Sequence, residues 1–335
     1  MKIEIINKER EELSGIVEVS KDYTVPKNKS ILESTSYHQE DGFYEERKHI
    51  HLNGVLIDQF KRSSIKKQEV LVRSDSPFIQ MHFELSGGAT CYKQSNSGFT
   101  IPTMQGEFST FYLPHLDGTL RDPPCCNAVS LEIQLSESWI REHIGDDSES
   151  GLNFIEGLNS SRPTLLGGKS FIITPIIYQT IHELCNCPYT GNIKRLFIEG
   201  KLLELLAHQL HQTASVKTSV CKNNLSKQDI ENLQFLKEKI TSELSKNHTI
   251  QELAYLTFMN RTKMQAGFKE LFGCTIHEFI IECRMTEAYR MLTGAYSNTW
   301  NISEIAHRVG YQHYNHFSMV FKKRFGVSPS YFLKK

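Results

Sequence analysis

EIAHRVGYQHYNHFSMVFKKRFG, residues 304–326, contains two helical patterns separated by a polar and aromatic run. Phe321 and Phe325 fall four positions apart, which places both on one face of a helix. Residues 322–324 are all basic and lie between these two phenylalanines. The stretch therefore predicts a short helix that buries its aromatic face and presents positive charge to solvent.

The same pattern occurs a second time, earlier in the chain. Residues 250–254 (IQELA) match residues 302–306 (ISEIA) at an offset of 52. Residues 268–273 (FKELFG) match residues 321–326 (FKKRFG) at an offset of 53. The C-terminal part of the chain therefore contains two copies of one structural unit, with one residue inserted between the matched blocks.

Each copy begins with the same helix start signal. Thr249 stands three residues before Glu252, and Asn301 stands three residues before Glu304. This spacing is typical of a capping box, in which each side chain binds a free backbone amide of the other residue. The first helix of each copy is therefore short and firmly started.

A tight turn and a second helix follow in each copy. Asn260 suits the N-cap of the second helix in the first copy, and Gly310 suits the turn of the second copy. Gly273 and Gly326 are placed as C-terminal caps. Between the copies, His277–Thr293 predicts one long helix. The pattern predicts an all-α domain of two tandem helix-turn-helix units joined by a long helix.

This arrangement resembles the DNA-binding domain of the AraC/XylS transcription regulators. The resemblance covers Leu225–Lys335, and its most specific portion is Ile302–Phe332, which includes GYQHYNHFSMVFKKRFGVSPSYF, residues 310–332. It implies that the second helix of each unit lies in the major groove of double-stranded DNA. It also implies RNA polymerase as a partner. Ala266 and Met319 depart from the family, which often has a guanine-reading arginine at those helix positions.

The resemblance assigns roles to exposed side chains of the two second helices. The residues expected to read bases are Arg261, Thr262, Lys263 and Gln265 in the first unit and Tyr314, Asn315, His316 and Met319 in the second. Asparagine and glutamine suit adenine edges, and lysine suits guanine. The residues expected to contact phosphates are Lys269, Lys322, Lys323 and Arg324. The alternative for each basic residue is an ordinary solvated surface charge.

The charge distribution agrees with a basic, DNA-facing end. Residues 225–335 carry 15 Lys and Arg against 10 Asp and Glu, a net charge of +5. The whole chain is neutral, with 38 of each, so residues 1–224 carry a net charge of −5. The asymmetry favours a basic functional end on a mildly acidic body.

The body begins with strands and continues with helices. Alternating apolar residues from Ile79 to Leu85, the pair Gly87-Gly88 and the run Thr90–Tyr92 predict a β-hairpin. The fold class is α+β: an N-terminal small β-barrel (cupin-like) with trailing helices precedes the all-α domain. Helices are expected from Ser136 to Ile144, from Phe171 to Leu184 and from Asn192 to Gln212. The predicted domains are a ligand-sensing or dimerisation domain (1–212), a linker (213–227) and a DNA-binding domain (228–335).

No residues are predicted to be catalytic, to bind a cofactor or to bind a metal. PTLLGGKS, residues 163–170, resembles a phosphate-binding loop, but Pro163 stands where the first glycine is needed. His182, Cys185 and Cys187 lack the second pair of spaced ligands that a zinc site requires. The chain is therefore not expected to be an enzyme.

Three stretches of the body resemble the pyochelin-receptor-regulator branch of the same family. They are FELSGGATCYK (83–93), YLPHLDGTL (112–120) and FIEGKLLELLAHQL (197–210). Because members of this branch are linked to ferric siderophores, the resemblance implies a small-molecule ligand of that class. Aromatic and basic residues of the strand region are its candidate contacts: Tyr37, His49, His51, Arg73, His82, Tyr92, Tyr112, His115 and Arg121. Each histidine has the alternative of an ordinary structural side chain.

The expected protein is a cytoplasmic transcription activator that responds to a ligand. The apolar stripe of Asn192–Gln212 is expected either to pack on its own domain or to form a homodimer contact. The start, MKIEIINKER, is too polar for a signal peptide, and no apolar run is long enough for a membrane span. Two alternatives stay open. One is a ligand-independent DNA-binding or architectural protein whose N-terminal domain only dimerises, and the other is an enzyme fused to a regulator.

Overall fold

A computed structural model gives the architecture of most of the chain. It describes residues 2–7, 12–18, 23–26, 30–40, 42–74, 76–95, 97–145, 148–214, 225–272, 274–293, 300–325 and 327–332. The predicted C-caps Gly273 and Gly326, and most of the predicted linker, lie outside these residues. The chain divides into two compact units. Unit 1 is Met1–Ile173 with Thr180–Ser215, and unit 2 is Thr174–Gln179 with Val216–Lys335.

Unit 1 is rich in strands. They are β1 (Lys2–Asn7), β2 (Glu12–Glu18), β3 (Leu32–Glu40), β4 (Phe43–Leu52), β5 (Val55–Ser64), β6 (Gln68–Ser74), β7 (Phe78–Ser86), β8 (Thr90–Gln94), β9 (Thr100–Thr103), β10 (Glu107–Leu113), β11 (Leu116–Asp122), β12 (Cys125–Leu135), β13 (Thr164–Leu165) and β14 (Phe171–Ile172). Turns between them use glycines with positive φ, such as Gly42 and Gly54.

The strands form two sheets. One has six strands in the order β2-β1-β6-β11-β8-β9, and the other has the order β13-β10-β7-β12-β5-β4-β3, with β14 also paired to β10. Neither sheet closes on itself in the strand pairing of the described residues. The sheet-rich N-terminal region and the helical C-terminal domain confirm the expected mixture of α and β structure, whereas the barrel stays a prediction.

The predicted hairpin from Ile79 to Tyr92 is wrong. Strand β7 pairs with β10 and β12, whereas β8 pairs with β9 and β11 in the other sheet. Gly87 has a φ of 70°, and the chain crosses at this point from one sheet to the other. Alternation and a glycine turn identify two strands, but they do not specify which strands pair.

Four helices follow the main strands of unit 1. They are α1 (Glu137–His143), α2 (Glu149–Asn159), α3 (Pro175–Cys185) and α4 (Gly191–Ala214). Ser136 caps α1 as predicted, because its side chain accepts a hydrogen bond from the Trp139 amide. The prediction that the third of these helices starts at Phe171 is wrong, since Phe171–Ile172 pairs with β10 as a strand.

Unit 2 contains six complete α-helices within the described ranges. They are α5 (Lys227–Ser242), α6 (Ile250–Leu256), α7 (Arg261–Phe272), α8 (Ile276–Thr293), α9 (Ile302–Arg308) and α10 (Tyr314–Phe325). The pairs α6–α7 and α9–α10 are the two helix-turn-helix units, and α8 is the long helix between them. Both predicted capping boxes are present at Thr249 and Asn301.

Two observations concern membrane-spanning helices and metal sites. No helix in the ranges given above is both long and apolar enough to cross a lipid bilayer. No group of three or more His, Cys, Asp or Glu side chains among the described residues is arranged to hold a metal ion.

Candidate DNA-binding surface and ligand cavity

Helix α7 presents one polar face to solvent because its other face is packed. Its start is fixed by Asn260, whose Oδ1 accepts a hydrogen bond of 2.8 Å from the Lys263 amide. Met264 and Phe268 are fully buried. The predicted base-reading residues Arg261, Thr262 and Gln265 are consequently exposed, as a helix that inserts into a groove requires.

Lys263 is the exception on this helix, because its ammonium group is already paired. Its Nζ lies 2.6 Å from Oδ2 of Asp229, in the first turn of α5. Asp229 also accepts hydrogen bonds of 2.7 Å from the amide and the hydroxyl of Ser226. The hydrogen bond from Lys263, followed by those from Ser226, lowers the pKa of the Asp229 carboxyl to about 2. The sequence contains no signal for this tertiary pair.

Helix α10 likewise buries one face and exposes a polar face. Phe317, Phe321 and Phe325 are buried in one cluster with residues of α8 and α9. The opposite face exposes all four of the predicted base-reading residues of this unit: Tyr314, Asn315, His316 and Met319. The aromatic residues four positions apart therefore pack inwards, and the polar run between them forms the exposed face.

The turn before α10 depends on Gly310. Its φ is 89°, a region that side-chain-bearing residues rarely adopt. A Cβ atom here would stand 2.6 Å from the Leu244 carbonyl oxygen and 2.6 Å from Nη2 of Arg284. The equivalent position of the first unit, at the offset of 52, is Phe258, with a φ of 52° and 91% exposure.

The basic residues expected to contact phosphates differ in their partners. Lys269, Lys322 and Lys323 are exposed, and no ion pair joins them to another described residue. Arg324 is instead paired with Glu282 of α8, with 2.5 Å between Nη1 and Oε1. Burial raises the pKa of Glu282, while Arg324 opposes that shift. Three of the four expected phosphate contacts are therefore directly available.

Unit 1 contains a cavity of about 700 Å³ between its two sheets. The six-stranded sheet lines it mainly with apolar side chains, including Ile3, Val72, Ile101 and Leu120. The other sheet lines it with polar and charged side chains as well as aromatic rings. The inner faces of the two sheets are therefore called the apolar wall and the charged wall.

The charged wall is held together by ion pairs. Its three cations, of which His82 is buried and the two arginines are partly buried, all have carboxylate partners. Arg47 donates two hydrogen bonds of 2.7 Å to Asp58, Arg62 donates one of 2.8 Å to Asp122, and His82 lies 3.0 Å from Glu84 and 3.5 Å from Glu132. Asp122 belongs to β11, so its bond to Arg62 of β5 links the two sheets. Burial alone would lower the pKa of His82, but hydrogen bonds to Glu132 and Glu84 outweigh it and raise the pKa to about 10.

An aromatic ring lies within this network. The guanidinium carbons of Arg47 and Arg62 each stand 5.4 Å from the ring centroid of Phe60. Both distances are within the range of cation–π attraction. Phe60 lines the cavity with both arginines, so the charged wall offers a ligand a flat surface as well as hydrogen-bonding groups.

Two of the nine predicted ligand contacts line the cavity, namely His82 and Tyr92. The other seven are not part of its lining: Tyr37, His49, His51, Arg73, Tyr112, His115 and Arg121. Several of these have other partners in the fold. His49 bonds to Asp58 at 2.9 Å, and Arg73 lies 3.5 Å from Asp117.

The principal cavity residues that the prediction missed are Glu45, Arg47, Phe60 and Arg62. A signal for them exists in the alternation along residues 43–51 of β4 and residues 58–62 of β5, where every second residue is charged or aromatic. Alternation alone, however, does not tell which of the two faces lies inside.

Comparison with known proteins identifies the class of both units. Residues 253–335 match a helix-turn-helix domain family, and residues 66–223 match the regulatory protein PchR N-terminal domain. Regulatory protein PchR of Pseudomonas aeruginosa is 31% identical over 116 residues, which are 35% of this chain and 39% of that protein. The Msm operon regulatory protein of Streptococcus mutans is 27% identical over 156 residues, which are 47% of this chain and 53% of that protein.

Among solved structures, the C-terminal domain of AraT, a response regulator from Geobacillus stearothermophilus, aligns with a TM-score of 0.28 and 27% identity. The alignment covers 33% of this chain and 87% of that one. The matched families and curated relatives are regulators rather than enzymes. The chain spans 39% and 53% of the length of these two curated relatives, and over that part it is similar to helix-turn-helix regulatory proteins. The two matched domains and the likeness to regulatory protein PchR support a regulator of the AraC/XylS type.

Proposed function

We propose that this protein regulates transcription by binding double-stranded DNA through α7 and α10. The observation that carries the proposal is that both helices bury an aromatic or apolar face and expose the residues suited to base edges. Exposed lysines lie on the same helices, at Lys269, Lys322 and Lys323. Phosphate neutralisation by such lysines supplies most sequence-independent affinity.

The test separates base reading from phosphate binding. Full-length protein is first used to select its preferred duplex, on which the two helices should occupy successive major grooves about 34 Å apart. Asn315→Ala should cost about 1–3 kcal/mol at one base position and relax the preference there. Lys322→Ala should weaken binding to all sequences and reduce the slope of log K against log salt by about 0.9.

A matched control is Lys93→Ala, since Lys93 is an exposed lysine of β8 in unit 1. It should leave both affinity and salt dependence unchanged. Equal and sequence-independent losses in Asn315→Ala and Lys322→Ala would show that the division into reading and positioning residues is wrong.

We further propose that unit 1 senses a small molecule, which binds in the cavity between its sheets. A ligand site of this kind is what the predicted cupin-like barrel implies. The cavity volume of about 700 Å³ lies within the range of known ligand sites. The resemblance of residues 83–93, 112–120 and 197–210 to the pyochelin-receptor-regulator branch makes a ferric siderophore the first candidate ligand. In this scheme the protein acts in the cytoplasm as an activator, with RNA polymerase as its partner.

A ligand that alters DNA affinity must distinguish the DNA-competent state from the other state. A coupling of about 1–3 kcal/mol is typical, so operator affinity should change by roughly 5- to 150-fold. Titration of iron-loaded siderophores against the full chain, with ligand fluorescence and operator binding followed together, tests this. Bound ligand without any change in DNA affinity, dimerisation or transcription would favour the architectural alternative.

Helix α4 supports a homodimer. Its inner face buries Ile198, Leu202 and Leu205 completely. Its outer face carries a second apolar row with alternating spacings of three and four, here named the α4 seam: Ile193, Leu196, Gly200, Leu203, Ala207 and Leu210. This spacing is that of a coiled-coil seam, and most of the row is exposed. A second copy of the chain is the proposed occupant.

A further inference from the structure

One carboxylate that lines the cavity from the charged wall, that of Glu45, has no cation partner among the described residues. Successive side chains of a strand alternate between faces, so the charged groups on the inner face follow from the strand positions that line the cavity. Glu45, Asp122 and Glu132 line the cavity, whereas Asp58 and Glu84 do not line it but pair with Arg47 and His82. The inner cations are Arg47, Arg62 and His82, the last because its pKa is raised to about 10. These three cations pair with Asp58, Asp122, Glu84 and Glu132, which leaves Glu45.

The three cations are already engaged by carboxylates of the wall, as described above. An anionic ligand would have to break one of these pairs and leave a buried carboxylate without its partner. Such a loss is expensive in a partly buried site. The wall therefore offers no uncommitted cation to a negatively charged group.

Glu45 is the carboxylate in excess. It lines the cavity from β4, directly opposite Arg62 in the strand register. Within the described part of the chain, no ion pair or hydrogen bond joins its carboxyl group to another residue. Burial raises the pKa of Glu45, while the nearby Arg62 and Arg47 oppose that shift. A bound cation would stabilise the charged form of this group.

The charged residues at the outer end of the cavity do not change the expected charge preference. Lys66, Lys67 and Glu40 line it there and are exposed to solvent. Lys67 is paired with Glu69 at 3.3 Å. Charges in contact with water are screened, so they weigh less on ligand choice than the buried groups.

The apolar wall faces Glu45 across the cavity. A ligand that fills the space must therefore place an apolar or aromatic surface against side chains such as Ile5, Val70 and Leu116. The ring of Phe60 on the charged wall adds a second flat surface. A ligand that fits both walls is amphipathic.

We propose that the cavity selects amphipathic ligands of positive net charge, whose cationic group binds Glu45 and whose apolar face lies on the apolar wall. This rests on the proposed function of the cavity as a ligand site and specifies the chemical class of ligand. A metal complex belongs to this class only when its net charge is positive. Glu45 is the residue that determines the charge preference.

Three fluorescent probes that share one aromatic group test the proposal on full-length protein. Dansylcadaverine carries a cation, dansylamide is neutral, and dansylglycine carries a carboxylate. Dansylcadaverine should bind about tenfold more tightly than dansylglycine, as expected for one charge-assisted hydrogen bond. Glu45→Gln should lower the affinity for dansylcadaverine to that for dansylamide and leave dansylamide binding unchanged.

Glu46→Gln is the matched control. Glu46 is the next residue on the same strand and faces the other side of the sheet, where it lies 3.9 Å from Lys48 and 3.6 Å from Lys61. It should leave the affinities of all three probes unchanged. Thermal melting of Glu45→Gln should be equal to or above that of the wild type, because the substitution removes a surplus carboxylate. If Glu45→Gln fails to fold, the order of the three probe affinities for the wild-type protein still tests the charge preference.

The outcomes separate this inference from the proposed function. Tighter binding of dansylglycine, or equal binding of all three probes, would overturn the charge preference while the cavity remains a ligand site. A charge preference that persists in Glu45→Gln would overturn the role of Glu45. Absence of binding by all three probes would overturn both the inference and the assignment of the cavity as a site for aromatic ligands.

Discussion

Replacing Asp229 by asparagine should change how the protein binds DNA, although Asp229 is not on a recognition helix. Its carboxylate holds the Lys263 ammonium group at 2.6 Å, and the pKa of about 2 keeps the carboxylate charged at neutral pH. Asparagine retains an acceptor for the Ser226 amide but removes the charge that holds Lys263. The lysine, which lies in the first turn of α7, is then free to contact a phosphate.

The expected change in salt dependence is that of one additional lysine–phosphate contact. Each phosphate neutralised by a lysine contributes about −0.9 to the slope of log K against log salt. Asp229→Asn should therefore steepen this slope by about 0.9 and strengthen binding to random-sequence DNA most at low salt. Fluorescence anisotropy with a random-sequence duplex between about 50 and 200 mM salt measures the slope directly.

Glu252→Gln provides a close control. Glu252 holds the same position in the capping box of α6, where it accepts a hydrogen bond of 3.1 Å from the Thr249 amide, and no ion pair joins it to another described residue. The slope should be unchanged in this variant, and Lys263→Ala should abolish the effect of Asp229→Asn. An unchanged slope in Asp229→Asn, or equal changes in both acidic variants, would refute the reasoning.

Three further predictions concern stability and assembly. Gly310→Ala should destabilise unit 2 by more than the roughly 1–2 kcal/mol that a left-handed backbone costs a residue with a side chain, because its Cβ would also collide with the Leu244 carbonyl. Gly98→Ala, at a φ of 67° in open space, should show only the backbone cost, and thermal melts measure both variants. The stability that His82 contributes is fully present below its unfolded pKa of about 6.5 and should be lost as pH rises through about 10; urea midpoints of the wild type should fall over this interval, and those of His82→Gln should fall less. Leu203→Asp should convert a dimer to a monomer in sedimentation experiments, whereas Met104→Asp, at another exposed apolar residue, should not.

The helix-turn-helix units could be predicted from sequence because their signals are local. Each cap joins residues three positions apart, and the buried phenylalanines of α10 follow the helical period. Both signals are therefore readable without knowledge of the tertiary fold. The exposed faces of α7 and α10 then follow from the buried ones.

The cavity could not be predicted in the same way. Its lining depends on which strands pair and in which register, as when Glu45 stands opposite Arg62 across β4 and β5. A shift of register by one residue would move every side chain to the other face of the sheet. Selection of ligand residues by aromatic or basic type therefore found His82 and Tyr92 but missed Glu45 and Arg62. The pairing of Lys263 with Asp229 was hidden for a similar reason, since the two residues are joined only by the tertiary fold.

The long sequence separation between paired strands predicts which of the two units folds first. Strand β1 pairs with β6, with Ile3 opposite Ser74, and β6 then pairs with β11 as far as Asp122. Unit 1 must therefore close long loops before its sheets are complete, and such contacts form slowly. Four helices of unit 2 instead start from reciprocal caps that span three residues, at Ser226, Thr249, Thr275 and Asn301. The helical unit should fold in the faster phase, even though most of it is synthesised after unit 1.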